Sequence, residues 1–102
     1  MPVAVVRYRT KPDRGDENQA LIEKVFGELE RDTPDGLRYA AFRLADGVSF
    51  VHVASIDTAD GTNPLAETSA FKEFLREIGD RCDEPPVASG ATVVGSYRGS
   101  KQ

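Results

Sequence analysis

Tryptophan is absent, and cysteine and histidine occur once each, as Cys82 and His52. A single cysteine forms no intrachain disulfide, and one cysteine with one histidine makes no zinc site, so no metal is expected. No stretch approaches the run of roughly 20 apolar residues that a bilayer span needs. The opening Met1-Pro2-Val3-Ala4-Val5-Val6 has no basic lead-in. It reads as a strand and not as a signal peptide, and the expected location is the cytoplasm. Basic residues are also in short supply: 13 Lys and Arg stand against 17 Asp and Glu. That balance disfavours nucleic acid and anionic membrane surfaces as partners. The local run of Arg7, Arg9, Lys11 and Arg14 reads as a solvated strand end. No glycine-rich phosphate loop is present, because Asp60-Gly61-Thr62 is short and has no lysine after it. No serine sits in a nucleophile elbow. Kinases, zinc enzymes and serine hydrolases drop out, and Cys82 reads as a structural thiol near a helix end.

A chain of 102 residues with 39% hydrophobic content can bury one modest core. A single domain is expected over residues 1–98, with a disordered tail at 99–102. The first strand runs from Val3 to Arg9. A helix follows over 13–31, with Asp13 as its N-cap and Leu21, Ile22, Val25, Phe26 and Leu29 as its apolar stripe. Thr33-Pro34-Asp35-Gly36 ends it. Two apolar runs, 37–45 and 48–55, flank Asp46-Gly47, the strongest short-range hairpin signal. A two-residue link sets Ala45 opposite Val48, Phe42 opposite Val51, Ala41 opposite His52 and Tyr39 opposite Ala54. Asn63-Pro64 opens a second helix carrying Leu65, Phe71, Phe74, Leu75 and Ile78, which ends near Arg81. Asp83-Glu84-Pro85-Pro86 reads as a break, and 91–98 as the last strand.

The order β-α-β-β-α-β is the ferredoxin-like arrangement, an α+β fold. Right-handed crossovers put two helices on one face of a four-stranded antiparallel sheet. The strands do not alternate cleanly: Val3-Ala4-Val5-Val6 is apolar on both sides, and Val48, Phe50, Val51, Val53 and Ala54 divide between two faces. A second apolar face needs a second cover. A twofold copy of the same sheet supplies it, so a homodimer through sheet-to-sheet packing is expected.

Lys11-Pro12, the long helix, Asp35-Gly36-Leu37-Arg38-Tyr39, the Asp46-Gly47 hairpin and Asn63-Pro64-Leu65 through Phe74 resemble the dimeric α/β barrel superfamily. Within it, the chain is most similar to the antibiotic-biosynthesis monooxygenase (ABM) domain. The resemblance covers nearly the whole chain. It implies a cofactor-independent monooxygenase acting on a small aromatic quinol or phenol. Oxygenases of this group often carry an acid and a tryptophan on the third strand before a serine. With that serine at Ser55, Val51 and Val53 stand in those places. Haem degraders use an asparagine on the first strand and a histidine on the second helix, and this chain has neither. Two other readings stay open: a non-catalytic module for a small apolar aromatic ligand or for assembly, and an isomerase or lyase with His52 as base.

Cofactor-free oxygenation asks the protein to remove a proton, stabilise an anion and exclude water. His52 is the one side chain that ordinarily titrates near neutrality, and Tyr8 can hold a substrate hydroxyl. These are the catalytic candidates. Arg7, Tyr39, Phe42, Val51, Val53 and Phe74 are the substrate-binding candidates. The expected pocket lies between sheet and helices, with Ala4, Val6, Tyr8, Phe42, Val51 and Val53 on one wall and Phe26, Phe74 and Ile78 on the other. Alternation along the strands puts Tyr8 toward the helices, and His52, Arg7 and Arg43 toward the partner sheet.

Overall fold

The computed structural model describes residues 3–97. Its elements are β1 (Val3–Thr10), α1 (Gly15–Asp32), β2 (Leu37–Arg43), β3 (Ser49–Ile56), a 3₁₀ turn (Pro64–Glu67), α2 (Ser69–Arg76), α3 (Ile78–Arg81) and β4 (Cys82–Ala91). The strands form one antiparallel sheet in the order β2-β3-β1-β4. This is the ferredoxin-like α+β fold expected from the element order.

The β2–β3 register is the one the hairpin signal dictates: Phe42 pairs with Val51, Ala41 with His52 and Tyr39 with Ala54. The link itself is longer than two residues. Leu44 N–H donates to Ser49 O, and Gly47 N–H folds back to Leu44 O, so Ala45 and Val48 lie in the loop and not opposite each other in the ladder. Asp46 holds that loop, accepting from the backbone of Val48 and Ser49 and from the Ser49 hydroxyl. The equal number of extra residues on each side preserves the register.

Helix α1 starts two residues later than expected. Arg14, not Asp13, occupies its N-cap position, and no side chain caps it. Ile22 and Val25 carry its buried stripe, with Leu21, Phe26 and Leu29 packed beside them. The second helix is broken in two places. Asn63 caps the 3₁₀ turn by accepting from Leu65 N–H, and Thr68 then caps α2 by accepting from Phe71 N–H. Thr68 is extended, so the helix restarts there. Glu77 leaves helical geometry (φ −129°) before the single turn of α3. Glu28 of α1 accepts from Ser69 N–H, Ala70 N–H and the Ser69 hydroxyl, which docks the start of α2 on α1.

The last strand is misplaced in the sequence reading. It runs through Asp83-Glu84-Pro85-Pro86 and stops at Ala91. Two facts explain this. As an edge strand, β4 needs hydrogen bonds on one side only, so proline is tolerated. The prolines also fall at a register shift, where Arg7 pairs with Val87 and Arg9 with Glu84. Ala91, whose partner is Val3 at the head of β1, ends the strand, and residues 92–97 are irregular. Val93 and Val94 are exposed there. Arg98 and the expected tail at 99–102 lie outside the described residues.

The core is Tyr8, Ile22, Val25, Phe50, Leu65, Phe74 and Cys82, all between the helices and one sheet face. The opposite face carries Val3, Val5, Val51 and Val53, half-buried, and Phe42 and Val87, exposed. No helix among the described residues is long and apolar enough to cross a membrane.

Two glycines give opposite expectations. Gly36 adopts φ +80°, and a Cβ there would lie 2.6 Å from Asp57 O. Gly36→Ala should cost more than about 1 kcal/mol in urea unfolding. Gly27, inside α1, has nothing within 4 Å of a built Cβ. Gly27→Ala should raise stability by about 0.5–1 kcal/mol. Equal effects at the two positions would contradict the described backbone.

Candidate functional site

The β1–β3 and β2–β3 registers together decide which side chains meet. Val6 pairs with His52, which pairs with Ala41; Ala4 pairs with Ala54, which pairs with Tyr39. Tyr8, His52 and Tyr39 therefore project from three neighbouring strands toward the helices. His52 does not face a partner sheet as alternation alone suggested; it is 6% exposed and lies against Phe74 of α2, with ring centroids 5.5 Å apart. Helix α1 and strand β2 separate β1 from β3, so the sequence does not fix which of their faces coincide.

The three side chains form a chain of hydrogen bonds. Tyr8 Oη lies 2.8 Å from His52 Nε2, and Tyr39 Oη lies 2.6 Å from His52 Nδ1. Asn18 of α1 donates from Nδ2 to Tyr8 Oη at 2.8 Å. Arg81 of α3 donates from Nε to Asn18 Oδ1 at 3.1 Å and from Nη2 to Phe74 O at 2.7 Å. The Arg81 guanidinium also sits over the Phe74 ring, 5.2 Å from its centroid. Arg81 is 2% exposed and makes no ion pair among the described residues.

Burial decides the ionisation of this chain. Desolvation lowers the His52 pKa to about 4, so the imidazole is neutral at pH 7. The same effect raises the Tyr8 and Tyr39 phenols far above their ordinary value, and both stay protonated. Asn18 hydrogen-bonding opposes the shift at Tyr8 without reversing it. Cys82, also raised by burial, is a thiol and not a thiolate.

Beside the chain lies an apolar cavity of about 140 Å³. Ala4, Val6, Tyr8, Tyr39, His52 and Ala54 form its sheet wall. Leu65, Phe71, Phe74, Leu75 and Ile78 form the helix wall, and Pro86 of β4 closes one side. An apolar cavity of about 150 Å³ is known to accept benzene, so this space is the size of one aromatic ring.

The sequence candidates divide accordingly. His52, Tyr8, Tyr39 and Phe74 come together at the cavity, as do Ala4, Val6 and Ile78. Phe42, Val51 and Val53 do not; they share the opposite sheet face, because Phe42 pairs with Val51 and both alternate with His52 and Ala41. Arg7 is exposed on that same face, opposite Val51 and Val87. Phe26 stacks on Tyr39 with centroids 4.9 Å apart but is not part of the cavity wall. Arg43 lies on the helix side, bonded to Asp16, Gln19 and Gly47 O, and not toward a partner sheet.

Asn18 and Arg81 were missed. Both carried a signal: each is a polar residue on an apolar helical stripe, Asn18 four before Ile22 and seven before Val25, Arg81 three after Ile78 and seven after Phe74. Among the described residues no group of three His, Cys, Asp or Glu side chains could hold a metal ion.

No protein-family model and no curated protein sequence matches the chain. Solved structures do. A Nitrosomonas europaea protein named as an antibiotic biosynthesis monooxygenase superposes with a TM-score of 0.76 at 18% identity, over 93% of this chain and 100% of that one. Rv0793 from Mycobacterium tuberculosis gives 0.73 at 19% identity, over 94% and 98%. SnoaB from Streptomyces nogalater, a cofactor-independent oxygenase, gives 0.66 at 14% identity, over 93% and 94%. At these identities the likeness establishes architecture, and the chain has the ferredoxin-like fold of the antibiotic biosynthesis monooxygenase structures.

Proposed function

We propose that the chain is a cofactor-independent monooxygenase that works as a homodimer and oxidises a small phenol or quinol, with one ring held inside each subunit. The observation that carries this reading is the ring-sized apolar cavity lying against the buried Tyr8–His52–Tyr39 chain. The likeness to SnoaB, named as a cofactor-independent oxygenase, supports it. A quinol that enters as its anion, its proton left to solvent, is electron-rich enough to reduce oxygen itself. With dioxygen as the oxidant, the ring carbon loses its one hydrogen and gains a carbonyl oxygen, the substrate hydroxyl supplies the second hydrogen, and the other oxygen atom leaves with both hydrogens as water. The apolar walls limit solvent around that sequence, and the Tyr39 hydroxyl, once turned to the ligand, orients and stabilises the substrate oxygen. Tyr8 and His52 act behind Tyr39 as one hydrogen-bonded unit. The open sheet face, with Val3, Val5, Val51, Val53 and Phe42, supports pairing with a second copy.

One observation favours a second reading, a non-catalytic binding module. Both His52 nitrogens are occupied by tyrosine hydroxyls, so no free base touches the cavity. The same geometry weighs against an isomerase or lyase that uses His52 directly.

Three measurements follow. An oxygen electrode on chelator-treated protein should register consumption with single-ring quinols alone; binding of the ring without consumption would favour the binding module. The rate should show no inflection between pH 6 and 7, because His52 titrates at about 4. Stability should respond in that lower range instead. The unfolded histidine takes up a proton as pH falls through about 6.5, while the folded one resists until about 4, so stability is lost across that window, by about 3 kcal/mol at its foot. Subtracting the urea-unfolding profile of His52→Gln isolates this loss from the carboxylates. Light scattering should give twice the chain mass, and Val5→Asp should give the monomer mass, since burying an unpaired carboxylate costs several kcal/mol. A wild-type monomer at micromolar concentration would remove the dimer from the proposal.

A further inference from the structure

We propose that the cavity opens to solvent between Leu75 and Pro86, and that Leu75 sets which rings it takes: those extended by an apolar substituent at one end only. This deepens the oxygenase reading by giving the substrate a shape, and it rests on the cavity being a ligand site.

The surface of the cavity is apolar throughout, so size and shape decide what enters. Its wall is not evenly covered. Tyr8, His52, Leu65 and Phe74 are buried, and the cavity is closed behind them. Leu75 is 47% exposed and Pro86 is exposed too, while the other wall members are half-buried. Both exposed residues line one ring-sized space, so the gap between them is its mouth. A ring that fills the space can carry nothing toward the closed side without displacing packed side chains. It can carry a substituent toward the mouth.

The sheet beyond the mouth is uncovered. Val6 and Ala4 of the wall pair with Ala88 and Gly90 of β4, so these two share the helix-facing side. Both are exposed, and a Cβ built on Gly90 meets nothing within 4 Å. A substituent leaving past Pro86 therefore runs over a low floor into open space. The opposite rim is held in place. Phe74 is packed in the core, and its carbonyl accepts from Arg81 Nη2 at 2.7 Å. Leu75 follows it in the last turn of α2, and Glu77 ends that helix. The backbone at the rim is thus pinned while the Leu75 side chain stands at the surface, so the bulk at this position fixes the width of the mouth.

Three isomers test this, because they carry the same carbons and differ only in where they place them: butylbenzene, para-diethylbenzene and tert-butylbenzene. Calorimetric titration of the full chain at pH 7 reads their binding, with benzene as the reference. Butylbenzene should bind about tenfold more tightly than para-diethylbenzene, whose second ethyl group must overpack the closed side. Leu75→Trp narrows the mouth and should weaken butylbenzene about tenfold while leaving benzene within about twofold. Leu75→Ala widens it and should bring tert-butylbenzene, the weaker binder to the wild type, level with butylbenzene. A merely structural role for Leu75 would shift benzene as much as butylbenzene, and that result overturns the proposal. Equal affinity of the wild type for butylbenzene and para-diethylbenzene overturns it as well. If Leu75→Trp fails to fold, Leu75→Ala and the isomer comparison still decide. If benzene itself does not bind, the ligand-site reading falls and this inference with it. Benzene binding without discrimination among the isomers removes this inference alone.

Discussion

A buried guanidinium that makes no ion pair among the described residues is satisfied by neutral groups, and Arg81 draws them from across the domain. Its donors fix Asn18 on α1 and the Phe74 carbonyl at α2, and its backbone carbonyl accepts from Lys11 N–H just past β1. Through Asn18 the contact continues to Tyr8, His52 and Tyr39 on β1, β3 and β2. One continuous polar thread crosses both layers. Leaving any member unpaired in the core would cost roughly 1–3 kcal/mol, more at the charge. The register of the sheet and the placement of both helices are thus coupled to a single side chain near the end of the last helical turn. The apolar packing around it, with Tyr8 stacked on Phe50 and Phe26 on Tyr39, fills the remaining space.

How much of this was legible in the sequence depends on how local each determinant is. The β2–β3 register followed from Asp46-Gly47, because both strands are tied to one short loop. The face of His52 did not follow. It is decided by the β1–β3 pairing, where Val6 meets His52, and those strands are separated by a helix and another strand. Once that face is reversed, Phe42, Val51 and Val53 leave the pocket together, since period-two geometry moves them as a set. Strand β4 was missed for a different reason. Asp83-Glu84-Pro85-Pro86 has the composition of a turn, and only its position at the sheet edge makes it a strand. Asn18 and Arg81 were visible as breaks in apolar stripes, but a stripe does not say which polar groups lie across from it.

The architecture and the site carry different weights of information. The fold is shared with structures at under one-fifth identity, and such a fold supports many chemistries. The positions that the family resemblance assigns to an acid and a tryptophan, Val51 and Val53, point to the open face here. The polar groups at the cavity instead come from alternate positions of the same strand and from its neighbours. Whatever reaction the cavity supports must work with two protonated phenols and a neutral imidazole, which favours hydrogen-bond donation and solvent exclusion over direct proton abstraction by histidine.

The proline pair in β4 bears on more than strand assignment. An unprotected sheet edge is a template on which further strands can add, chain after chain, into fibres. Pro85 and Pro86 have no N–H to donate, which takes a donor from the open edge as well as from the β1 side, and the register shift beside them bends the strand out of line. Asp83 and Glu84 add like charges that a second copy would have to bring together. Growth along the sheet is blocked on that side. Pairing through the open sheet face, as proposed, would instead be an association that closes on itself and stops.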